Sequence, residues 1–279
     1  MKDYIKLLRV KHYIKNILIF IPAFFGGVIF DKNQIIQGIL GFIAFSMVSS
    51  MIYIFNDLRD IENDRKHPTK KNRPLASGKI KPIQGIGCIV LCMIIACSIT
   101  YIIKNLYAAF FLILYLIINI LYSMGLKNKP IIDIVLLASG FVIRIFYGGA
   151  IMGISISKWL YLVITTGSLY MGLGKRRNEL KRQKETRDVL RYYNENFLDK
   201  NMYVCVALTN VFYSLWTLDM PNPKICWTIP FFIILLMCYS LNVEGDSDGD
   251  PVEVILHDKI LICIIIAYTI CIFTLLYLV

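Results

Sequence analysis

The chain has no glycine-rich phosphate loop, no Ser/His/Asp arrangement and no HExxH pair. These absences remove the P-loop nucleotide enzymes, the triad hydrolases and the zincin-type metalloproteases. Histidine is scarce, with 3 residues, and no histidine or second close cysteine pair accompanies Cys88 and Cys92 as a zinc site requires. All 8 cysteines fall in apolar runs and read as small packing residues. Charge is sparse as well: 18% of residues are Asp, Glu, Lys or Arg, against 57% hydrophobic, which places the composition outside that of an ordinary soluble domain. No A-x-A-like cleavage site follows the first apolar run, so that run is expected to stay in the protein as a span rather than leave as a signal peptide.

What remains is apolar length. Nine runs, 14–30, 34–55, 83–103, 106–124, 131–152, 156–174, 202–220, 225–243 and 260–279, are each near the roughly 20 residues that cross a bilayer as a helix. The expected fold is an all-α integral membrane protein of nine transmembrane helices, a single domain over 1–279. The formal charge of +11 does not point to nucleic acid, because most of the 30 Lys and Arg residues fall on one side of these runs. They occupy the leader and the loops at about 56–82, 125–130, 175–201 and 244–259. The positive-inside rule then sets the N-terminus and these loops in the cytoplasm and the C-terminus outside, in the cell membrane. The implied partners are the lipid bilayer and phosphorylated substrates at the cytoplasmic face; a homo-oligomer is compatible with the sequence.

Residues 56–78, NDLRDIENDRKHPTKKNRPLASG, place four acids and six bases between two apolar runs. Asp57, Asp60 and Asp64 are spaced i, i+3 and i+7, so a helix continuing from the preceding run projects their carboxylates from one face. Hard oxygen ligands suit Mg²⁺, which takes one or two carboxylates together with substrate phosphates. Asn56 adds an amide, and Arg65, Lys66, Lys70, Lys71 and Arg73 supply phosphate-seeking charge. His67-Pro68 is expected to end the helix. The competing reading is a polar loop whose acids offset its bases, but acids kept at a helical repeat on a membrane boundary are costly without a use.

Other candidates are open on residue type alone. The basic leader suits an interfacial segment feeding the first helix, with Lys15-Asn16 at the mouth of the span. Tyr122 reads as an aromatic-belt anchor or a site residue, and Lys127 as a topology charge or a phosphate ligand. Arg144, deep in a span and three turns from Asp133, faces either an interhelix partner or a cavity. Asp246, Asp248 and Asp250 imitate the start of a calcium loop, but Pro251 and His257 stand where that loop needs glycine and glutamate.

The stretch Asn56-Asp57-x-x-Asp60-x-x-x-Asp64-Arg65 followed by Asn72-Arg73-Pro74-Leu75-Ala76-Ser77-Gly78 resembles the first aspartate-rich motif of the UbiA-type intramembrane prenyltransferases. The segment Tyr122-Ser123-Met124-Gly125-Leu126-Lys127 is similar to the same family's YSxxLK. The resemblance implies a nine-helix bundle around a central cavity open to the cytoplasmic face, with Mg²⁺ held at Asp57, Asp60 and Asp64. Where most of the superfamily carries a second aspartate-rich motif, this chain has Lys175-Arg176-Arg177-Asn178-Glu179-Leu180, with Glu185 and Asp188 nearby. That departure, with HYIKN at 12–16, GFVIR at 140–144 and DPVEVILHDK at 250–259, resembles a narrower branch, the polyprenyl-phosphate phosphoribosyltransferases. It implies transfer of a 5-phosphoribosyl group from phosphoribosyl diphosphate to a polyprenyl (decaprenyl-like) phosphate, releasing diphosphate, for cell-envelope precursor synthesis. Phosphate binding then falls to Asn56, Lys15, Arg65, Arg73, Tyr122, Lys127, Arg144, Lys175, Arg176 and Arg177. Rival activities are an ordinary prenyltransferase or terpene cyclase using a prenyl diphosphate and, more remotely, a lipid transporter. The transporter would be expected to show internal repeats and broken mid-membrane helices.

Overall fold

The computed structural model describes residues 2–67, 69–182, 188–245 and 249–278. Pro68, Glu185, Asp246 and Asp248, singled out above, lie outside them. The described residues form helices and connections, with no strand among them. In chain order the α-helices are α1 (Lys2–Leu7), α2 (Ile21–Phe25), α3 (Lys32–Arg59), α4 (Ile61–Lys66), α5 (Pro82–Ile103), α6 (Leu106–Met124), α7 (Ile132–Ile151), α8 (Lys158–Arg182), α9 (Glu195–Leu218), α10 (Ile229–Glu244), α11 (Pro251–His257) and α12 (Lys259–Tyr277). Short 3₁₀ segments lie between several of them. Six of these helices are long and apolar enough to cross a membrane: α3, α5, α6, α7, α10 with the 3₁₀ turn before it, and α12.

The chain divides into two compact units, one comprising 1–123 and 144–155, the other 124–143 and 156–279. In the first, α3 packs along α5, and the leader runs beside α3. The first apolar run is not one continuous helix: it is a 3₁₀ segment, Val10–Phe20, followed by the five-residue α2. A polar stripe on α3 accounts for this path. Asn16 Nδ2 donates to Ser46 Oγ at 2.9 Å, Tyr13 and Ser50 share a 2.8 Å hydroxyl contact, Ser50 Oγ donates to the Leu8 carbonyl, and the Arg9 guanidinium lies 4.6 Å from the Tyr53 ring centre. Positions 46, 50 and 53 share one helix face. The leader satisfies buried polar groups of α3 and is therefore a strap on that helix. Leu7 fixes its start, packed with Ile54, Leu75 and Ile80 in an apolar cluster.

Helix starts follow local chemistry. Asp31 caps α3 by accepting from Asn33 and Gln34 N–H groups, and Pro82 opens α5. In the second unit α8 and α9 form the main helix pair, and α10 packs against α9 and α12. Its core joins Ile134, Tyr170, Leu173, Val189, Leu190, Leu198, Met202 and Val243, among others. Asn194 caps α9, Asp250 caps α11 and Asp258 caps α12.

Two expected outcomes test this packing. A methyl group at Gly148 would stand 2.0 Å from the Ile19 backbone carbonyl, whereas one at Gly87 meets nothing within 4 Å. Gly148→Ala should therefore destabilise the detergent-solubilised protein by ~1–3 kcal/mol, as overpacked cores do, and Gly87→Ala should not; thermal melts of both variants check this. The second concerns Asp258, whose carboxyl is held below the usual carboxylate range by the Asn242 amide and by the N–H groups of Leu261 and Ile260. A depressed pKa contributes stability above the unfolded value, ~3.9 for aspartate, and that contribution fades as the pH falls through the folded one. Asp258→Ala should thus lower the melting temperature at pH 7, and the difference from wild type should shrink as the pH is taken progressively below the unfolded value.

Candidate functional site

The helix that carries the aspartate-rich stretch bends inside it. α3 ends at Arg59, Asp60 sits at the joint with φ −99° and ψ 13°, and α4 begins at Ile61. The backbone ladder still crosses the bend, Asp60 N–H to Asn56 O at 3.0 Å and Asp64 N–H to Asp60 O at 2.8 Å. Helical phase is thus kept between 57 and 64. Asp57 is 3% exposed and Asp64 4%, and both accept from one guanidinium: Arg73 Nη1 lies 3.0 Å from Asp57 Oδ1 and 2.7 Å from Asp64 Oδ2. Asp60 stays half-buried at the joint. Among the described residues no group of three or more His, Cys, Asp or Glu side chains is gathered around one metal position.

Two converging carboxylates are nevertheless what Mg²⁺ uses when substrate phosphates and water complete its shell. Asp57 and Asp64 therefore fit the metal expected from the sequence, with Asp60 next to them at the bend. The loop after α4 is built to deliver Arg73. Arg65 Nε donates to the Ala76 carbonyl at 3.2 Å and Arg65 Nη1 to Glu62 at 2.9 Å, and Ser77 N–H closes onto the Arg73 carbonyl at 2.9 Å. Leu75 and Ala76, both buried, pin the same loop. Arg65 thus acts on the loop backbone, while Arg73 reaches the acids.

A second cation arrives from a residue that in the sequence reads only as a topology charge. Arg9 Nη2 donates to Asp57 Oδ1 at 2.5 Å. Its backbone is left-handed, φ 52° and ψ 45°, uncommon for a side-chain-bearing residue and a conformation that costs energy. The bend at Arg9 joins α1 to the 3₁₀ strap and turns its side chain onto α3. Tyr53 and Asp57 stand one turn apart on α3, and that spacing is the signal that could have found the pairing: a helical polar stripe, 46, 50, 53 and 57, awaiting partners.

The remaining first-unit candidates are placed differently. Asn56 Oδ1 accepts from Ser123 Oγ at 2.6 Å and Arg59 donates to the Ser123 carbonyl, so this pair ties α3 to the end of α6. Tyr122 and Lys15 are half-buried. Arg144 is 5% exposed; its Nε donates to Asn16 Oδ1 at 2.8 Å and its Nη2 to the Tyr115 hydroxyl at 3.1 Å, and it stacks on the Phe45 and Tyr115 rings at 5.0 Å. These amide, hydroxyl and ring contacts are partners sought by an arginine at membrane depth.

In the second unit the basic run after the sixth apolar stretch is closely matched by acids. Lys175 Nζ is 3.9 Å from Asp250, Arg176 binds Asp133 at 2.5 Å and also Glu179, and Arg177 binds Asp199. Arg176 is fully buried and Arg177 is 7% exposed, whereas the Lys175 side chain keeps 27% exposure. Gly249, at φ +76°, lets its loop approach this run: a methyl there would lie 2.8 Å from Lys175 Cα. Lys127 occupies a 3₁₀ turn, Leu126–Asn128, and is half-buried.

The model of the UbiA prenyltransferase family matches residues 19–178. The chain is 33% identical to a decaprenyl-phosphate phosphoribosyltransferase of Corynebacterium glutamicum, over 96% of this chain and 85% of that one. It is 30% identical to the enzyme of the same name from Mycobacterium tuberculosis, over 95% and 91%. Its fold is similar to the solved structure of a UbiA homolog from Archaeoglobus fulgidus bound to GPP and Mg²⁺, with a TM-score of 0.75 and 19% identity over 98% of this chain and 99% of that one. With more than half its length matched by the family model and nearly all of it by relatives, this chain belongs to the UbiA prenyltransferase family.

Proposed function

We propose that the protein transfers a 5-phosphoribosyl group from phosphoribosyl diphosphate to a polyprenyl phosphate, releasing diphosphate, as a multi-pass protein of the cell membrane that serves cell-envelope precursor synthesis. The observation that carries this reading is similarity over almost the whole chain to two proteins named decaprenyl-phosphate phosphoribosyltransferase. The basic segment that opens at Lys175, where a second acidic motif stands in most of the superfamily, supports it from the sequence. Nine spans, a cytoplasmic N-terminus and an external C-terminus complete the proposal, supported by the apolar runs and the placement of Lys and Arg.

In this reading Asp57 and Asp64, with Asp60 beside them, hold Mg²⁺, which when bound supplies Lewis acidity to the departing diphosphate. The chain's own groups then have three tasks. Arg9 and Arg73 hold two nearly buried carboxylates in place by direct hydrogen bonds, and their remaining N–H groups are donors for the donor's diphosphate oxygens. Carboxylate charge favours the cationic ribosyl centre that develops as the C1–O bond to diphosphate breaks. The acceptor phosphate oxygen forms the new bond to C1; because a phosphate monoester is largely ionised at neutral pH, it needs orientation more than a general base. Lys127 and Lys175 are proposed to bind phosphate, with Lys15, Asn56, Tyr122 and Arg144 contributing around the first unit's polar interior. Arg176 and Arg177, each committed to carboxylates, hold their segment in shape instead of presenting charge to a ligand.

Purified protein in detergent, given Mg²⁺ and phosphoribosyl diphosphate, should release diphosphate only when polyprenyl phosphate is added, and chelator should stop it. Release from a prenyl diphosphate instead would move the activity to the prenyltransferases or cyclases. Asp57→Asn should reduce turnover at least ~100-fold and abolish Mn²⁺ binding seen by electron paramagnetic resonance, a loss of electrostatic stabilisation on the order of 3 kcal/mol. Arg9→Ala should raise the KM for phosphoribosyl diphosphate about tenfold, as expected from loss of a charge-assisted hydrogen bond of ~1.5–3 kcal/mol; an unchanged KM would confine Arg9 to holding the leader.

A further inference from the structure

The loop that carries Lys127 is bracketed by two residues with positive φ, Gly125 at +144° and Ile131 at +67°. Glycine adopts such angles freely; a β-branched residue does not, because its side chain meets the backbone. Ile131 is also 58% exposed, so burial of its side chain does not hold it there. The restraint comes from its backbone. Ile131 N–H donates to the Tyr193 hydroxyl at 2.6 Å, and the same hydroxyl donates to Asp133 Oδ1 at 2.5 Å. Asp133 Oδ2 in turn accepts from Arg176 Nε, also at 2.5 Å, and Arg176 bonds Glu179 one turn along α8.

The three residues that follow Ile131 in this relay are protected from water. Asp133 and Arg176 are fully buried and Tyr193 is 7% exposed. The Tyr193 ring stacks on Phe197 with an interplanar angle of 11°, and Val189 and Leu190, at 0% and 1% exposure, anchor the 3₁₀ segment that presents it. Burial and the adjacent Asp133 carboxylate push the Tyr193 hydroxyl well above its ordinary pKa, so it remains a donor at working pH. On the other side of Ile131, Pro130 stiffens the chain and Lys129 is extended, φ −96° and ψ 122°, as residues before proline tend to be.

We infer that Tyr193 is a positioning residue that locks Ile131 in its left-handed conformation and thereby fixes the 125–131 loop and Lys127 for binding a phosphate. The stretch around 188–193 has no sequence motif of its own, and this gives it a task. The inference rests on the proposed phosphate role of Lys127 and adds to it the group that holds the lysine's loop in place.

The test uses the full-length protein in detergent and three variants: Tyr193→Phe, Ile131→Gly and Lys127→Ala. Tyr193→Phe keeps the stacked ring and removes only the shared hydroxyl. It should raise hydrogen–deuterium exchange across 126–131 at least tenfold and raise about tenfold the KM for whichever substrate, phosphoribosyl diphosphate or polyprenyl phosphate, shows a raised KM in Lys127→Ala, with kcat within twofold. Ile131→Gly takes the same φ without strain, so alone it should leave the KM near wild type and in the double variant recover most of the loss. A purely structural tyrosine would lower the melting temperature without this KM split and without rescue by glycine. Unchanged exchange at 126–131 in Tyr193→Phe overturns the tether. Increased exchange with an unchanged KM, while Lys127→Ala raises it, overturns the positioning role. A silent Lys127→Ala removes the phosphate reading of Lys127 and with it the purpose given to the tether, and the exchange data still tell a tethered loop from an untethered one.

Discussion

Carboxylates buried beside guanidinium groups at the ends of apolar helices are the constraint on which the rest of this protein depends. Taking a charge out of water costs several kcal/mol even after relaxation, so each such acid has to be met by a cation in good geometry. Asp57 meets Arg9 and Arg73, Asp64 meets Arg73, and Asp133 meets Arg176. In the first unit these pairs act together with the apolar cluster of Leu7, Ile54, Leu75 and Ile80 to bring the left-handed turn at Arg9 and the 70–78 loop onto α3. The two networks lie in different units of the chain, and each is complete within its own.

The first network differs from the second in what it leaves available. Arg9 and Arg73 bind the acids and retain 21% and 29% side-chain exposure. Arg176 has none, and its partners enclose it. Equal sequence cues, a basic residue near acidic ones, thus leave the cation partly exposed in one place and enclosed in the other. The difference matters because a phosphate must replace water at the cation before it binds. Lys175 lies between these cases, 3.9 Å from Asp250 with 27% side-chain exposure.

Much of the general plan is legible in the order of the amino acids alone. The apolar runs and the imbalance of Lys and Arg identify a helical membrane protein, and the long Asp57 to Gly78 pattern leads to its family. Legibility falls where a residue's meaning depends on its partner. Arg9 resembles any of several leader charges because its target lies 48 positions away. The first run resembles an ordinary weak span because the serine stripe that shapes it belongs to α3. Tyr193 carries no local signal, since its hydroxyl serves a backbone N–H 62 positions earlier.

The sequence by itself determined what depends on composition and period: helices of membrane length, and acidic residues set at a helical repeat. Hydrophobic burial and helical repeat act over a few residues, so they are written locally. Only the tertiary structure decided which cation answers which acid, that Asp57 and Asp64 converge on one arginine while Asp60 stays at the bend, and that Arg176 is enclosed while Lys175 is not. Charge pairing falls off steeply once solvent intervenes. Its outcome is therefore set by which distant segments the fold brings within a few ångströms of each other, a property that no local stretch of sequence carries.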